Sequence, residues 1–146
     1  MEEMIKLSGF MSMYTTKSGQ IYKRNRRGLF KRIEIRPVTT SYPSITGISD
    51  LGKPVKRVLH RVIMETLFPV PGMENLVVNH KNFNKNDYSL ENLEWVTRSR
   101  NTKHYFESLG FEYAEDGSTI KKWDKEKAAK INWWRRREYY AAMKAK

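Results

Sequence analysis

The stretch VVNHKNFNKNDYSLENLEWVTRSRNTKH, from Val77 to His104, constrains this chain more than any other part of it. It holds two of the three histidines and six asparagines. NLVVNH is a short apolar run and predicts a strand ending at His80. NLEWVT, from Asn92 to Thr97, predicts a second strand, with Leu93, Trp95 and Thr97 on one side and Glu94 and Val96 on the other. Thr97 or Ser99 suits the N-cap of a helix running to about Leu109, where Gly110 ends it. The order is strand, polar loop, strand, helix. A histidine that closes an apolar run and precedes an asparagine-rich loop is either part of a self-satisfying polar turn or part of a reactive site.

Upstream, residues 1–35 read as short strands and turns, with Ser18-Gly19 in SMYTTKSGQIYKRN marking a hairpin. YKRNRRGLFKR gathers Lys23, Arg24, Arg26, Arg27, Lys31 and Arg32 around Gly28, which is either a solvated basic turn or a loop that contacts phosphates. RIEIRPVTT alternates Ile33 and Ile35 with Glu34 and Arg36 and predicts a strand, with Pro37 at an edge or bulge. YPSITGIS predicts another strand, DLGK a turn, and PVKRVLHR a strand pattern mixed with a basic patch. HRVIMETLFPVPG predicts a helix from His60 to about Phe68, with Val62, Ile63, Leu67 and Phe68 toward a core and Pro69 and Pro71 as stops. The fold class expected is α+β, in three segments: a strand-rich module over 1–53, a core unit over 54–110, and a linker with a basic helix over 111–146.

Charge narrows the partner. The 146 residues carry a net charge of +12, with 39% hydrophobic and 30% charged residues, so the core is small and the arms polar. Such a balance calls for a polyanion, with nucleic acid ahead of an anionic membrane surface or an acidic protein. After the acidic connector FEYAEDGST, the tail from Lys121 to Lys146 holds ten basic and three acidic residues, or +7. Arg135, Arg136 and Arg137 lie there among Trp133, Trp134, Tyr139 and Tyr140, on a helix that either tracks DNA phosphates or packs its aromatics on the core. No cysteine is present, which excludes disulfides and thiolate zinc sites. No apolar run reaches the ~20 residues needed to cross a bilayer. MEEMIKLSGF lacks a signal-peptide pattern, so a cytoplasmic location is expected and no membrane partner.

VVNHKNFNKNDYSLENLEWVTRSRN resembles the core motif of the HNH endonucleases, which have the ββα-metal fold, in the subgroup common among phage homing endonucleases. LHRVIMETLFPVP resembles the His-Arg helix that precedes that motif, and YTTKSGQIY more distantly resembles a small upstream strand module. The likeness spans roughly residues 10–105 and leaves the tail after Gly110 uncovered. It implies a ββα-metal nuclease core within 54–110, Mg²⁺ or another divalent cation as cofactor, double-stranded DNA as substrate, and products with 5′-phosphate and 3′-hydroxyl ends. For a phage-encoded chain, the cytoplasm is that of the host cell.

By position, the resemblance puts the general base on His80, the structural asparagine of the loop on Asn92 and a metal ligand on Asn101. Asn79 stands where an aspartate ligand is common, and its uncharged oxygen implies weaker metal affinity. A neutral histidine suits proton abstraction from water, and a divalent cation suits the charge on phosphate and leaving oxygen. His104 is three residues beyond Asn101, on the same helix face, and is a candidate for metal or phosphate. Arg61, Arg98 and Arg100 join Arg26, Arg27 and the tail arginines as nucleic-acid contacts, whereas His60 is expected to pack or cap. The chain has Asn82-Phe83 where many members have Asp-Gly, and Asp87-Tyr88 where paired asparagines are frequent. Those departures keep a second reading open, a nucleic-acid-binding module that retains the fold without cutting. A third is a regulator that binds an acidic protein through the tail. Target sequence, one- or two-strand cleavage and oligomeric state are left open by the sequence.

Overall fold

The computed structural model describes residues 2–109 and the backbone of two short strands at 112–113 and 119–120. The chain divides into two units, residues 1–95 and the segment from Val96 onward.

The first unit opens with a four-stranded antiparallel sheet: β1 (Ile5–Lys6), β2 (Met13–Thr15), β3 (Ile21–Arg24) and β4 (Phe30–Ile33), in that order. Thr15 pairs with Ile21, and Ile21 with Ile33. Met13, Thr15 and Ile21 are buried on one face while Tyr14 and its partner Tyr22, on the other, are half-buried, the alternation of a one-sided sheet; the end of β3, at Lys23 and Arg24, is exposed. Gly19 turns the β2–β3 hairpin at φ 82°, where a side chain would be strained, and its N–H donates to the Thr16 carbonyl at 3.0 Å. The strand expected in the run that starts at Arg32 begins earlier, at Phe30, and ends at Ile33, where its pairing with β3 stops. Val38 finds other partners: its N–H donates to Asn86 Oδ1 at 2.8 Å and its carbonyl accepts from Asn86 Nδ2 at 2.9 Å.

A hairpin follows, β5 (Ser44–Ile48) against β6 (Pro54–Val58), with Ser44 opposite Val58. Helix α1 (Leu59–Leu67) starts directly after it and buries Leu59, His60, Val62, Ile63 and Met64. Phe68 has left the helix and is exposed rather than core-facing, since a residue before proline is pushed out of helical geometry. The core joins Leu7, Phe10, Met13, Ile21 and Ile45 to Leu59, Val62, Ile63, Met64, Val78 and Leu93. The segment boundary expected at 53/54 therefore runs through a shared core. Gly47 is required there, because a Cβ would lie 2.9 Å from Phe10 Cδ1. A short 3₁₀ turn (Met73–Asn75) leads into β7 (Val77–His80), which pairs with β8 (Leu93–Val96) across the loop 81–92.

In the second unit, α2 (Arg98–Ser108) is capped by Thr97, whose Oγ1 accepts from the Arg100 N–H at 3.2 Å. Beyond it, β9 (Glu112–Tyr113) pairs antiparallel with β10 (Thr119–Ile120). Paired backbone thus stands near both ends of the expected connector. The basic helix expected over 121–146, with Arg135, Arg136 and Arg137, lies outside the described residues.

Candidate active site

His80 is the last residue of β7 and is 5% exposed. Its imidazole sits in a box of rings. Tyr42 stacks on it with centroids 5.8 Å apart and planes 17° apart. His60, from α1, meets it edge to face at 4.8 Å, and Tyr42 closes the triangle against His60 at 4.7 Å. Among the described residues, His80 Nε2 and His60 Nδ1 are enclosed with no hydrogen-bond partner. A buried imidazolium without partners is unfavourable, so both rings are held neutral. Burial is the main cause of lowering the His80 pKa from 6.5 to about 4; Asp87 pulls it up and Lys85 pushes it down. His60 is lowered to about 3, by burial first, then by His80 and Arg61.

The loop after His80 is held by asparagines acting as backbone substitutes. Asn92, 7% exposed, accepts from the Asn82 N–H at 2.9 Å and donates from Nδ2 to the Asp87 carbonyl at 2.8 Å. Its own carbonyl accepts from the Lys81 N–H at 2.8 Å. Asn82 Oδ1 accepts from the Asn84 N–H at 2.8 Å, and Asn84 Oδ1 from the Asn86 N–H at 3.0 Å, two consecutive Asx turns. Phe83 carries φ 62°, a left-handed backbone at the position where the related motif often has glycine.

Asn79, 6% exposed, precedes His80, and its Nδ2 donates to Glu94 Oε1 on β8 at 2.7 Å. His80, Asn79 and Asn92 are thus brought together at one end of the β7–β8 pair. Arg61 is used inside the protein. Its Nε donates to Glu65 at 2.9 Å, its two terminal nitrogens donate to the Leu76 and Met73 carbonyls at 2.6 and 2.8 Å, and its guanidinium lies 5.1 Å from the Trp95 ring. Arg26 and Arg27 are exposed on the β3–β4 turn, where Asn25 Oδ1 accepts from the Arg27 and Leu29 N–H groups, both at 2.9 Å. Asn101, His104, Arg98 and Arg100 belong to α2 of the second unit, and Arg100 lies 3.5 Å from Glu107.

Two neighbours of the site had no separate role in the sequence reading. Tyr42 carried only a strand signal, and nothing in its surroundings pointed to His80. Glu94 had one usable signal, a carboxylate on a short strand on the side away from Leu93 and Trp95.

A model of the HNH endonuclease family matches residues 57–103, which run from the end of β6 through His80 and Asn92 to Lys103. Over these residues the chain is similar to the HNH endonucleases. An uncharacterised HNH endonuclease of Acanthamoeba polyphaga mimivirus is 30% identical over 103 residues, covering 70% of this chain and 23% of that protein. The chain thus spans about a quarter of that relative's length. The HNH homing endonuclease I-HmuI, solved in a study of its DNA binding and cleavage, shares the fold. Its TM-score is 0.57 at 19% identity, over 88% of this chain and 82% of the I-HmuI chain. The HNH segment holds His80, Asn79, Asn92, Asn101, Arg61, Arg98 and Arg100, but neither the basic β3–β4 turn nor the tail.

Proposed function

We propose that the chain is a metal-dependent DNA endonuclease of the homing type, with His80 as general base in a ββα-metal core. One observation carries this reading: a neutral imidazole fixed at the end of a strand, inside the HNH segment, by a ring box on one side and an Asn92-tied loop on the other. At neutral pH that ring is unprotonated and takes a proton from the water that attacks phosphorus. Tyr42 and His60 hold the ring plane, and Asn92 holds the loop that follows it.

The residues suit a hard divalent cation such as Mg²⁺. Among the described residues no group of three or more His, Asp or Glu side chains forms a dedicated cage. Mg²⁺ needs none, because one or two protein oxygens suffice where substrate phosphate and water supply the rest. The Asn79 amide has its NH₂ end bound to a carboxylate, which commits its oxygen to the opposite side. Asn79 would hold the ion, with Asn101 as second ligand by its place in the HNH segment and His104 as a further candidate. Bound there, the cation supplies charge stabilisation for the phosphate and the leaving oxygen.

Double-stranded DNA is the substrate proposed, supported by the net charge of +12. Phosphate contacts fall to Arg26, Arg27, Arg98, Arg100 and the tail arginines Arg135, Arg136 and Arg137. Arg61 is assigned to holding α1 against the 3₁₀ turn. The test is incubation of supercoiled plasmid with the purified chain in Mg²⁺, Mn²⁺ or EDTA. Nicked or linear DNA bearing 5′-phosphates, in metal only, is the expected result. Intact plasmid with every metal, from a protein that binds DNA, would leave a binding module instead.

A further inference from the structure

Asn79 is buried and uncharged, yet it stands against a carboxylate. Its Nδ2 donates to Glu94 Oε1 at 2.7 Å, the short distance of a charge-assisted hydrogen bond. This contact has two consequences. A carboxylate only accepts, so it holds the amide in one of its two flips, and the Oδ1 limb is directed away from Glu94. The same bond also polarises the amide. Electron density drawn toward the carbonyl makes Oδ1 a better donor to a cation, part of the way to a carboxylate oxygen. Glu94 is half-buried on β8, so the contact is partly shielded from water.

We infer that Glu94 is the positioning residue of the metal site: through the Asn79 amide it orients the ligand oxygen and lends the site a negative charge that the ligand itself lacks. This rests on the proposed nuclease site, and it moves the acidic group from residue 79 to a partner on the neighbouring strand. Residues behind a metal ligand that fix its orientation typically matter for affinity by 10–100-fold. A sheet contact that served stability alone would have no such effect.

The experiment is titration of the full chain with Mn²⁺ alone, without DNA, read by the electron paramagnetic resonance signal of free Mn²⁺, with melting temperature recorded for each variant. Glu94→Gln keeps the side-chain volume and is expected to weaken Mn²⁺ binding by roughly 10–100-fold while the fold is retained. Asn79→Asp alone sets two carboxylates against each other. The exchange Asn79→Asp with Glu94→Gln restores one carboxylate facing one amide, with the charge on the ligand, and is expected to bind Mn²⁺ at least as tightly as the wild type. Unchanged Mn²⁺ affinity in folded Glu94→Gln would overturn the inference, as would failure of the folded exchange variant to recover. A wild type that binds Mn²⁺ in this Glu94-dependent way but leaves DNA intact would refute the nuclease reading alone. A wild type that cuts DNA while its Mn²⁺ affinity ignores residue 94 would refute the Glu94 role alone.

Discussion

His80 gains its character from what surrounds it. A histidine in water is half protonated near pH 6.5, whereas this ring, enclosed by Tyr42 and His60, is held down to about 4. The base form is therefore present throughout the neutral and mildly acid range. The pH dependence of kcat/KM reports the free enzyme, so it should stay nearly level from pH 8 down to about 5. A profile that falls to half near pH 6.5 would mean the ring is hydrated as an ordinary histidine and the box is open. Tyr42→Ala should show that behaviour: with one wall removed, the imidazole is more fully hydrated and the acid limb moves up toward 6.5. A Tyr42→Phe variant keeps the wall and should keep the level profile.

At the scale of elements, the loop 81–92 depends on one side chain. Asn92→Ala removes both an acceptor and a donor for part-buried backbone groups of the loop. It should destabilise the protein by about 2–4 kcal/mol, at about 1–2 kcal/mol per group left unpaired, read as a drop in the urea midpoint at constant slope. Arg61 and the β3–β4 turn make a contrasting pair. Arg61→Ala removes an ion pair to Glu65 within α1 and the helix's ties to the Leu76 and Met73 carbonyls, and should lower stability without altering how DNA affinity responds to salt. Arg26→Ala with Arg27→Ala should leave stability within about 0.5 kcal/mol and flatten the slope of log K against log salt by about 1.8. If Arg61→Ala flattens the slope and the double variant does not, the assignments are reversed.

The sequence carried those features that are local to one element. The strand ending at His80, the helix after Val58 and the Thr97 cap all depend on residues a few positions apart, so apolar spacing and a capping hydroxyl announce them. The contacts that make the site do not work that way. Asn79 and Glu94 are 15 positions apart, Asn86 and Val38 are 48 apart, and each is satisfied only once two elements have been laid side by side. Tyr42 and His60 are similar: the first read as a strand residue and the second as a helix start, and neither pattern reveals a ring neighbour from another element. Phe68 shows the opposite failure. Its helical spacing pointed to the core, but Pro69 takes the chain out of the helix before the side chain can turn inward.

For the whole molecule, two buried neutral histidines make the folded state sensitive to acid. Both have folded pKa values, about 3 and about 4, below the unfolded value of 6.5. Between these limits the unfolded chain binds more protons, so stability rises with pH there. The contribution is full above pH 6.5, declines as pH falls below it, and is gone below about 3. The melting temperature should therefore be flat from pH 8 to 7 and fall steadily from 6.5 to 4, at up to about 1.4 kcal/mol per pH unit for each ring. His60→Leu should shallow that fall, and an equal slope in that variant would show that other groups govern it. The positive charge acts on a longer range: affinity for duplex DNA should drop steeply with salt, since each phosphate neutralised releases counterions. Everything proposed for the chemistry depends on the ring at position 80. The most direct measurement is the single-turnover rate of plasmid cleavage in Mg²⁺ by His80→Ala against the wild type, at equal DNA occupancy. The account predicts a rate lower by ~10²–10⁴-fold with DNA affinity retained. Cleavage at the wild-type rate by the folded variant would contradict it.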